Sequence, residues 1–197
     1  MPHPNSLYFA YHIDAWSYVE RAQKQLQLFD EGNPESLFYA ALELRMGIEA
    51  RLIEILRALL RDNNRPAERI KQYKPKILLG KISELDKNGN VFRHITLTFG
   101  VPGSQSSTVF QFIPITRELA ADYGKVGDLL HCTFFEGNEG WCVKKRLKGE
   151  YGAMSLLDYR DMLSIITQRL KEATGSDLII PPSFIKFFDE LNNDAEE

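Results

Sequence analysis

Cysteine is scarce in this chain of 197 residues, in which Cys132 and Cys142 are the only two. Two cysteines are too few for a disulfide framework or a cysteine-rich zinc site, and as free thiols they suit a reducing compartment. No apolar run approaches the ~18 residues of a membrane-spanning helix, and the first residues lack the basic-then-apolar pattern of a signal peptide. These absences predict a cytoplasmic protein with no membrane partner.

Motifs that hold metals, nucleotides or acyl intermediates are also missing. The four histidines, His3, His12, His94 and His131, do not have the spacings used by zinc sites. The glycine-rich signatures of dinucleotide-binding folds and P-loops are lacking, as is the serine elbow of the α/β hydrolases. We therefore predict that the protein uses no metal and no cofactor, and that it belongs to none of these enzyme classes.

Charge is unevenly distributed along the chain. The 24 basic and 27 acidic residues give a net charge of −3, but residues 189–197 hold five acids and no base, which predicts an acidic, disordered tail. Basic residues cluster between residues 57 and 76 and between residues 144 and 148. Such clusters neutralise phosphate in nucleic-acid-binding proteins, and they also occur on solvated helix faces near helix C-termini.

Apolar spacing predicts a bundle of helices. Residues 14–30 fit an amphipathic helix, and a second one is predicted from Pro34 to Arg61. Its apolar residues recur every three or four positions: Leu37, Ala41, Leu44, Ile48, Leu52, Ile55 and Leu59. This stripe is too long and regular for a surface helix, so the second helix is expected to form the centre of the core, with Ile48 midway along the stripe.

Shorter or later helices are predicted at 66–73, at 117–131 and from Ser155 to Gly175. Between them, alternating residues predict strands over 91–99 and 109–115, and residues 132–148 resemble a second hairpin. The predicted fold class is mainly α with a small antiparallel β insertion (α+β), around a helical bundle core. Residues 1–188 are predicted to form one domain, with the β insertion at about 91–115.

Charged side chains lie beside the apolar stripe of the second helix, namely Glu43, Arg45, Glu49 and Arg51. Arg45 and Glu49 are four residues apart and are able to form an ion pair on one face. One interpretation is a surface ion pair that flanks the core. The other is that both residues point into a groove, where Met46 and Gly47 allow a second subunit or a ligand to approach closely.

A second candidate site lies at the end of the helix predicted at 117–131. A helix C-terminus favours the imidazolium form of His131, and Asp128 is placed to orient the ring. Histidine acts as a general acid or base on a ribose 2′-hydroxyl, while a base such as Lys125 stabilises phosphoryl charge. This is the chemistry of metal-independent RNA cleavage. The alternative is a histidine that caps the last helical carbonyls.

The segment ALELRMGIEARL, followed much later by Lys125, five residues and His131, resembles the HEPN superfamily of prokaryotic defence and toxin–antitoxin systems. In that superfamily an arginine and a later histidine form a ribonuclease motif at the dimer interface of a helical bundle. The resemblance covers residues 14–62 and 117–172 in outline. It implies that Lys125 replaces the arginine, although an ammonium lacks the guanidinium fork that holds phosphate.

The resemblance therefore implies a HEPN-like nucleic-acid-associated protein that is a metal-independent endoribonuclease, with RNA and a second copy of the chain as partners. Its implied catalytic residues are His131, Lys125 and Asp128, and its implied substrate-binding residues are Arg45, Glu49, Glu43 and Arg51. The alternative function is a non-catalytic protein–protein interaction module or an inactive HEPN-like partner, which implies a protein partner instead of RNA cleavage.

Overall fold

A computed structural model describes residues 13–65, 74–86, 91, 95–100, 107–112, 118–130, 133–137, 140–147 and 150–174, and over most of the strand residues it describes the backbone alone. The helices are α1 (Ala15–Asp30), α2 (Ser36–Asp62), α3 (Pro75–Leu85), α4 (Glu118–Leu130) and α5 (Leu156–Thr174). The strands are β1 (Ile95–Gly100), β2 (Ser107–Phe112), β3 (Thr133–Gly137), β4 (Gly140–Leu147) and β5 (Glu150–Ser155).

The boundaries of α1 follow from local chemistry. Asp14 caps the helix, because its carboxylate accepts a hydrogen bond from the backbone N–H of Ser17 at 2.8 Å. At the other end the N–H of Glu31 bonds to the carbonyl of Gln27. Gly32 then adopts a φ of 100°, which turns the chain towards α2 at no steric cost. The helix predicted over residues 14–30 is confirmed.

Helix α2 forms the centre of the core, as its apolar stripe predicts. All seven stripe residues are buried, and Ile48 is fully buried. The helix packs against α1, α3, α4 and α5, so the stripe is covered along its whole length. Burial of such a stripe against several partners, rather than helix propensity, supplies most of the stability of a helix in a folded protein.

Gly47 lies where α1, α2 and α5 approach one another closely. A Cβ atom placed on Gly47 would lie 2.8 Å from Cδ2 of Leu170 and 2.9 Å from Cβ of Tyr18. At the far end of α1, the guanidinium of Arg160 on α5 forms a 2.7 Å ion pair with Asp30. The close approach that the sequence suggested at Gly47 therefore occurs within one chain.

Helix α3 was not anticipated from the sequence. It begins with Pro75 at its first position, where a missing N–H costs nothing, and it buries Leu78 and Ile82. Three buried positions among eleven residues, beside lysines and Gly80, give a weak periodic signal. The helix predicted at 66–73 and the acidic tail predicted at 189–197 lie outside the described residues.

The predicted fold class is wrong. The part of the chain with described side chains is a helical protein of five helices without a sheet, and it is 87% helical. The backbone elsewhere forms two separate antiparallel pieces, β1–β2 and β3–β4–β5. Every member of the described core except Val91 lies on a helix. The helices therefore bury their stripes against one another, and a mixed class does not describe this core. None of the described helices has the length and apolar character that a bilayer crossing needs.

Candidate functional site

Arg45 and Glu49 of α2 meet Tyr123 of α4 in a polar cluster, here called the α2–α4 cluster. The Tyr123 hydroxyl donates to Oε1 of Glu49 at 2.7 Å and accepts from Nε of Arg45 at 3.1 Å. The Arg45 guanidinium carbon also lies 4.7 Å from the centroid of the Tyr123 ring, within cation–π range. Arg45 and Glu49 are themselves 3.9 Å apart. The ion pair expected from their spacing therefore forms, with a tyrosine bridging it.

The position of this cluster is set by the two helices. Arg45 and Glu49 flank the buried stripe of α2, and Tyr123 follows the fully buried Asp122 on α4. One turn later, Gly127 leaves room beside the guanidinium, because a Cβ atom there would lie 3.6 Å from Nη1 of Arg45. Arg45 therefore lies over the last turn of α4, which ends at Leu130.

Electrostatics keep Tyr123 neutral. Burial raises the pKa of its hydroxyl, and the neighbouring Glu49 carboxylate raises it further, while Arg45 opposes the change. Tyr123 thus remains a donor to Glu49 well into the alkaline range. Among the described residues neither terminal nitrogen of Arg45 forms a hydrogen bond. The guanidinium is therefore fixed by its Nε and its ring contact, and its outer edge is placed to bind an oxyanion.

Replacing Tyr123 with Phe tests this bridge. We expect the free energy of unfolding to fall by about 1 kcal/mol, because Glu49 and Arg45 each lose a hydrogen-bond partner. The difference between the ultraviolet titration curves of the parent protein and the variant isolates Tyr123. Its pKa should lie above the ordinary tyrosine value of about 10. Tyr39→Phe is the matched stability control, since Tyr39 is exposed. If the tyrosine that the variant lacks titrates at or below the ordinary pKa, the result would contradict the bridge.

Lys125 belongs to a different cluster on α4. Its ammonium lies 3.0 Å from Oδ1 of the fully buried Asp122, and Nη1 of Arg169 on α5 lies 3.1 Å from both Asp122 oxygens. Two cations thus neutralise one buried carboxylate and join α4 to α5. Asp128 is exposed one turn further along. The structure therefore gives Lys125 a partner that is unrelated to the α2–α4 cluster.

Glu43 contacts α1 directly, and Arg51 is linked to α1 through Glu54. Oε2 of Glu43 accepts from Nε of Arg21 at 2.8 Å. Arg51 is buried and pairs with Oε2 of Glu54 at 3.2 Å, while the other oxygen of Glu54 accepts from the backbone N–H of Ala15. Burial lowers the pKa of the Arg51 guanidinium, and Glu54 opposes that shift. Both residues therefore fasten the α1–α2 pair together.

Of the predicted site residues, then, the structure brings Arg45 and Glu49 together and places Lys125, Asp128, Glu43 and Arg51 elsewhere. His131 lies outside the described residues, directly after Leu130 in the chain. Within the described part of the chain, no three His, Cys, Asp or Glu side chains are grouped as metal ligands.

Tyr123 is the site residue that the sequence analysis missed. Its spacing with Leu119 and Val126 assigned it to the apolar face of α4. The available signal was its hydroxyl group, because a tyrosine on a buried face nearly always finds a hydrogen-bond partner. That reasoning predicts a polar residue opposite Tyr123 without identifying which one.

Comparisons with known proteins found no relative from which a function could be inferred, so the proposed function rests on these side chains. No protein-family model, no curated protein and no solved structure matches the chain.

Proposed function

We propose that this chain is a HEPN-like nucleic-acid-associated protein that binds RNA at the α2–α4 cluster and cleaves it without a metal ion, in a cytoplasmic defence or toxin–antitoxin system. The supporting observation is the position of Arg45. Tyr123 and Glu49 hold its guanidinium over the last turn of α4, and the chain reaches His131 as soon as that helix ends. The proposal therefore pairs a phosphate-binding arginine held against the last turn of α4 with an acid–base histidine that follows this helix in the sequence.

In the proposed reaction the terminal nitrogens of Arg45 bind a phosphate of the RNA backbone. His131 accepts the proton of the neighbouring 2′-hydroxyl, whose oxygen attacks phosphorus while the bond to the 5′-oxygen breaks. The proton passes to the departing 5′-oxygen, and the products are a 2′,3′-cyclic phosphate and a 5′-hydroxyl. Arg45 takes the role that the resemblance gave to Lys125, whose ammonium is held by Asp122. A guanidinium also grips phosphate with two parallel hydrogen bonds, which an ammonium does not.

The test is a cleavage assay on end-labelled single-stranded RNAs in the presence of EDTA. We expect cleavage by the parent protein and a rate roughly 100- to 10,000-fold lower for His131→Ala, because a general acid–base group is lost. Arg45→Gln is expected to weaken RNA binding about tenfold or more, and Arg45→Lys to restore part of it. Arg160→Gln removes an arginine from the α1–α5 side of the bundle and should leave binding and cleavage unchanged.

Other outcomes of this assay would support a different function. RNA binding without cleavage, unaffected by His131→Ala, would replace the endoribonuclease with a binding protein. Failure to bind or cleave any RNA would overturn the proposal and favour the protein–protein interaction module. The observation that supports this second candidate is the exposed apolar surface formed on α2 by Tyr39, Leu42 and Met46.

A further inference from the structure

Two exposed aromatic side chains lie near the start of α2, which begins at Ser36, and they are called the Phe38–Tyr39 pair here. Phe38 is 37% exposed and Tyr39 is 51% exposed. Their rings meet edge to face, with 5.9 Å between the centroids and an interplanar angle of 85°. Each ring therefore restricts the rotation of the other, and the pair offers solvent a fixed aromatic surface.

Phe38 lies on the same side of α2 as Arg45. The two residues are seven positions apart, which is about two helical turns, so about 10 Å separates them along the helix axis. Leu42, which is 40% exposed, lies between them, four positions after Phe38 and three before Arg45. An exposed apolar surface therefore leads from the aromatic pair to the Arg45 guanidinium, whose terminal nitrogens form no hydrogen bond with the described residues.

Helices α2 and α4 run antiparallel beside this surface. Glu49 bonds to Tyr123, whereas Arg45, one turn earlier on α2, lies beside Gly127, one turn later on α4. Helix α4 ends at Leu130, three residues after Gly127. The Phe38–Tyr39 pair therefore lies on the side of Arg45 towards which α4 ends.

The chemistry of this surface matches an unpaired nucleotide. A nucleotide joins a flat base, which stacks on aromatic rings, to a phosphate, which a guanidinium binds. Phe38 and Arg45 present these two groups about two turns apart on one side of a rigid helix. In a duplex the faces of the bases are covered by their neighbours, so a ring beside the backbone cannot reach them. An apolar partner helix would cover Phe38 but would bury the edge of Arg45 without a hydrogen-bond acceptor, which is costly.

We propose that Phe38 stacks an unpaired base of the RNA whose phosphate Arg45 binds, and that Tyr39 holds the Phe38 ring in position. The inference rests on the proposed function and adds the class of substrate to it, namely single-stranded RNA rather than a duplex. Every base has a π-face, so stacking selects an unpaired base without distinguishing the four bases from one another.

The test measures the binding of 2′-O-methyl oligoribonucleotides, which lack the attacking hydroxyl and are bound without being cleaved. Phe38→Ala is expected to bind a single strand about 5- to 150-fold more weakly than the parent protein, because one stacked base is lost. Phe38→Leu should lose binding as well, although it keeps an apolar side chain. The parent protein should prefer the single strand to its duplex, and Phe38→Ala should lose that preference. Trp16→Ala is the matched control, since Trp16 is an aromatic residue of similar exposure, 36%, on α1.

The Phe38→Trp variant reports stacking directly, because a base that stacks on an indole quenches its fluorescence. We expect this variant to keep the affinity of the parent protein for the single strand. Its fluorescence should fall on binding by more than that of the parent protein, which reports Trp16 and Trp141 alone. Equal quenching in the two proteins would show that no base lies on the ring at position 38 and would overturn the inference.

The outcomes separate this inference from the proposed function. Equal binding by the parent protein and Phe38→Ala, with binding still weakened by Arg45→Gln, would overturn the stacking site and leave the proposed function standing. Full binding by Phe38→Leu would also overturn it, because an aliphatic side chain provides no ring. A parent protein that binds no RNA would overturn the proposed function and this inference with it. Thermal unfolding followed by circular dichroism checks that each variant is folded, and Phe38→Leu and Phe38→Trp decide the outcome if Phe38→Ala is not.

Discussion

The Ile48→Ala variant is expected to unfold with a free energy about 2–5 kcal/mol below that of the parent protein. Ile48 is fully buried at the middle of α2, where it belongs to the core that the other helices share. Truncation removes three carbon atoms from the apolar interior, and the rigid packing around the site leaves part of that volume as a cavity. The measurement is chemical denaturation followed by circular dichroism.

Ile165→Ala provides the matched control, since it removes the same atoms from a residue that is 55% exposed on α5. Its free energy of unfolding should change by less than about 0.5 kcal/mol, as is usual for surface positions. Equal effects of the two substitutions would show that α2 does not form the centre of the core.

The Gly47→Ala variant is expected to lower the free energy of unfolding by about 1–3 kcal/mol, although alanine is the better helix former. The new Cβ would meet Leu170 at 2.8 Å and Tyr18 at 2.9 Å. Leu170 offers the end of a flexible side chain, but the Tyr18 contact is a Cβ atom fixed to the backbone of α1. Relief therefore requires α1 to move away from α2, which loosens the packing of both helices.

Gly80→Ala is the informative comparison for this variant. Gly80 lies in α3, and among the described residues no neighbouring atom comes within 4 Å of the position that a Cβ would occupy, so alanine adds no contact there. The same substitution should raise the free energy of unfolding by about 0.5–1 kcal/mol, because the unfolded chain loses conformational freedom. Opposite signs for the two glycines would confirm the close approach at Gly47, and a stabilised Gly47→Ala variant would refute it.

Periodicity predicts those helices whose burial is regular. The stripe of α2 was readable because its apolar residues recur over about six turns and are buried by several neighbours at once. Helix α3 was missed because only Pro75, Leu78 and Ile82 are buried on it. The error in fold class has a different cause. Alternation identifies a strand, but it does not reveal that the described apolar core is assembled almost entirely by helices.

How far apart two candidate residues lie in the sequence decided part of what could be predicted about the site. Arg45 and Glu49 are four residues apart, so their pairing follows from helix geometry. Their contact with Tyr123 spans more than seventy residues and depends on how α4 packs on α2. A short separation was not always sufficient, since Lys125 and its partner Asp122 are only three residues apart. This pair was not predicted, because nothing in the sequence indicates that an aspartate on α4 is buried.

The three-helix junction at Gly47 also has a consequence for synthesis on the ribosome. Helices α1 and α2 are neighbours in sequence, but the Leu170 side chain that closes their junction is translated more than a hundred residues after α2 begins. At a synthesis rate of about 5–20 residues per second, the nascent α1–α2 pair waits roughly 5–20 seconds for α5. During that interval α5 does not yet cover the apolar surface around Gly47, so this junction closes only after α5 has been synthesised.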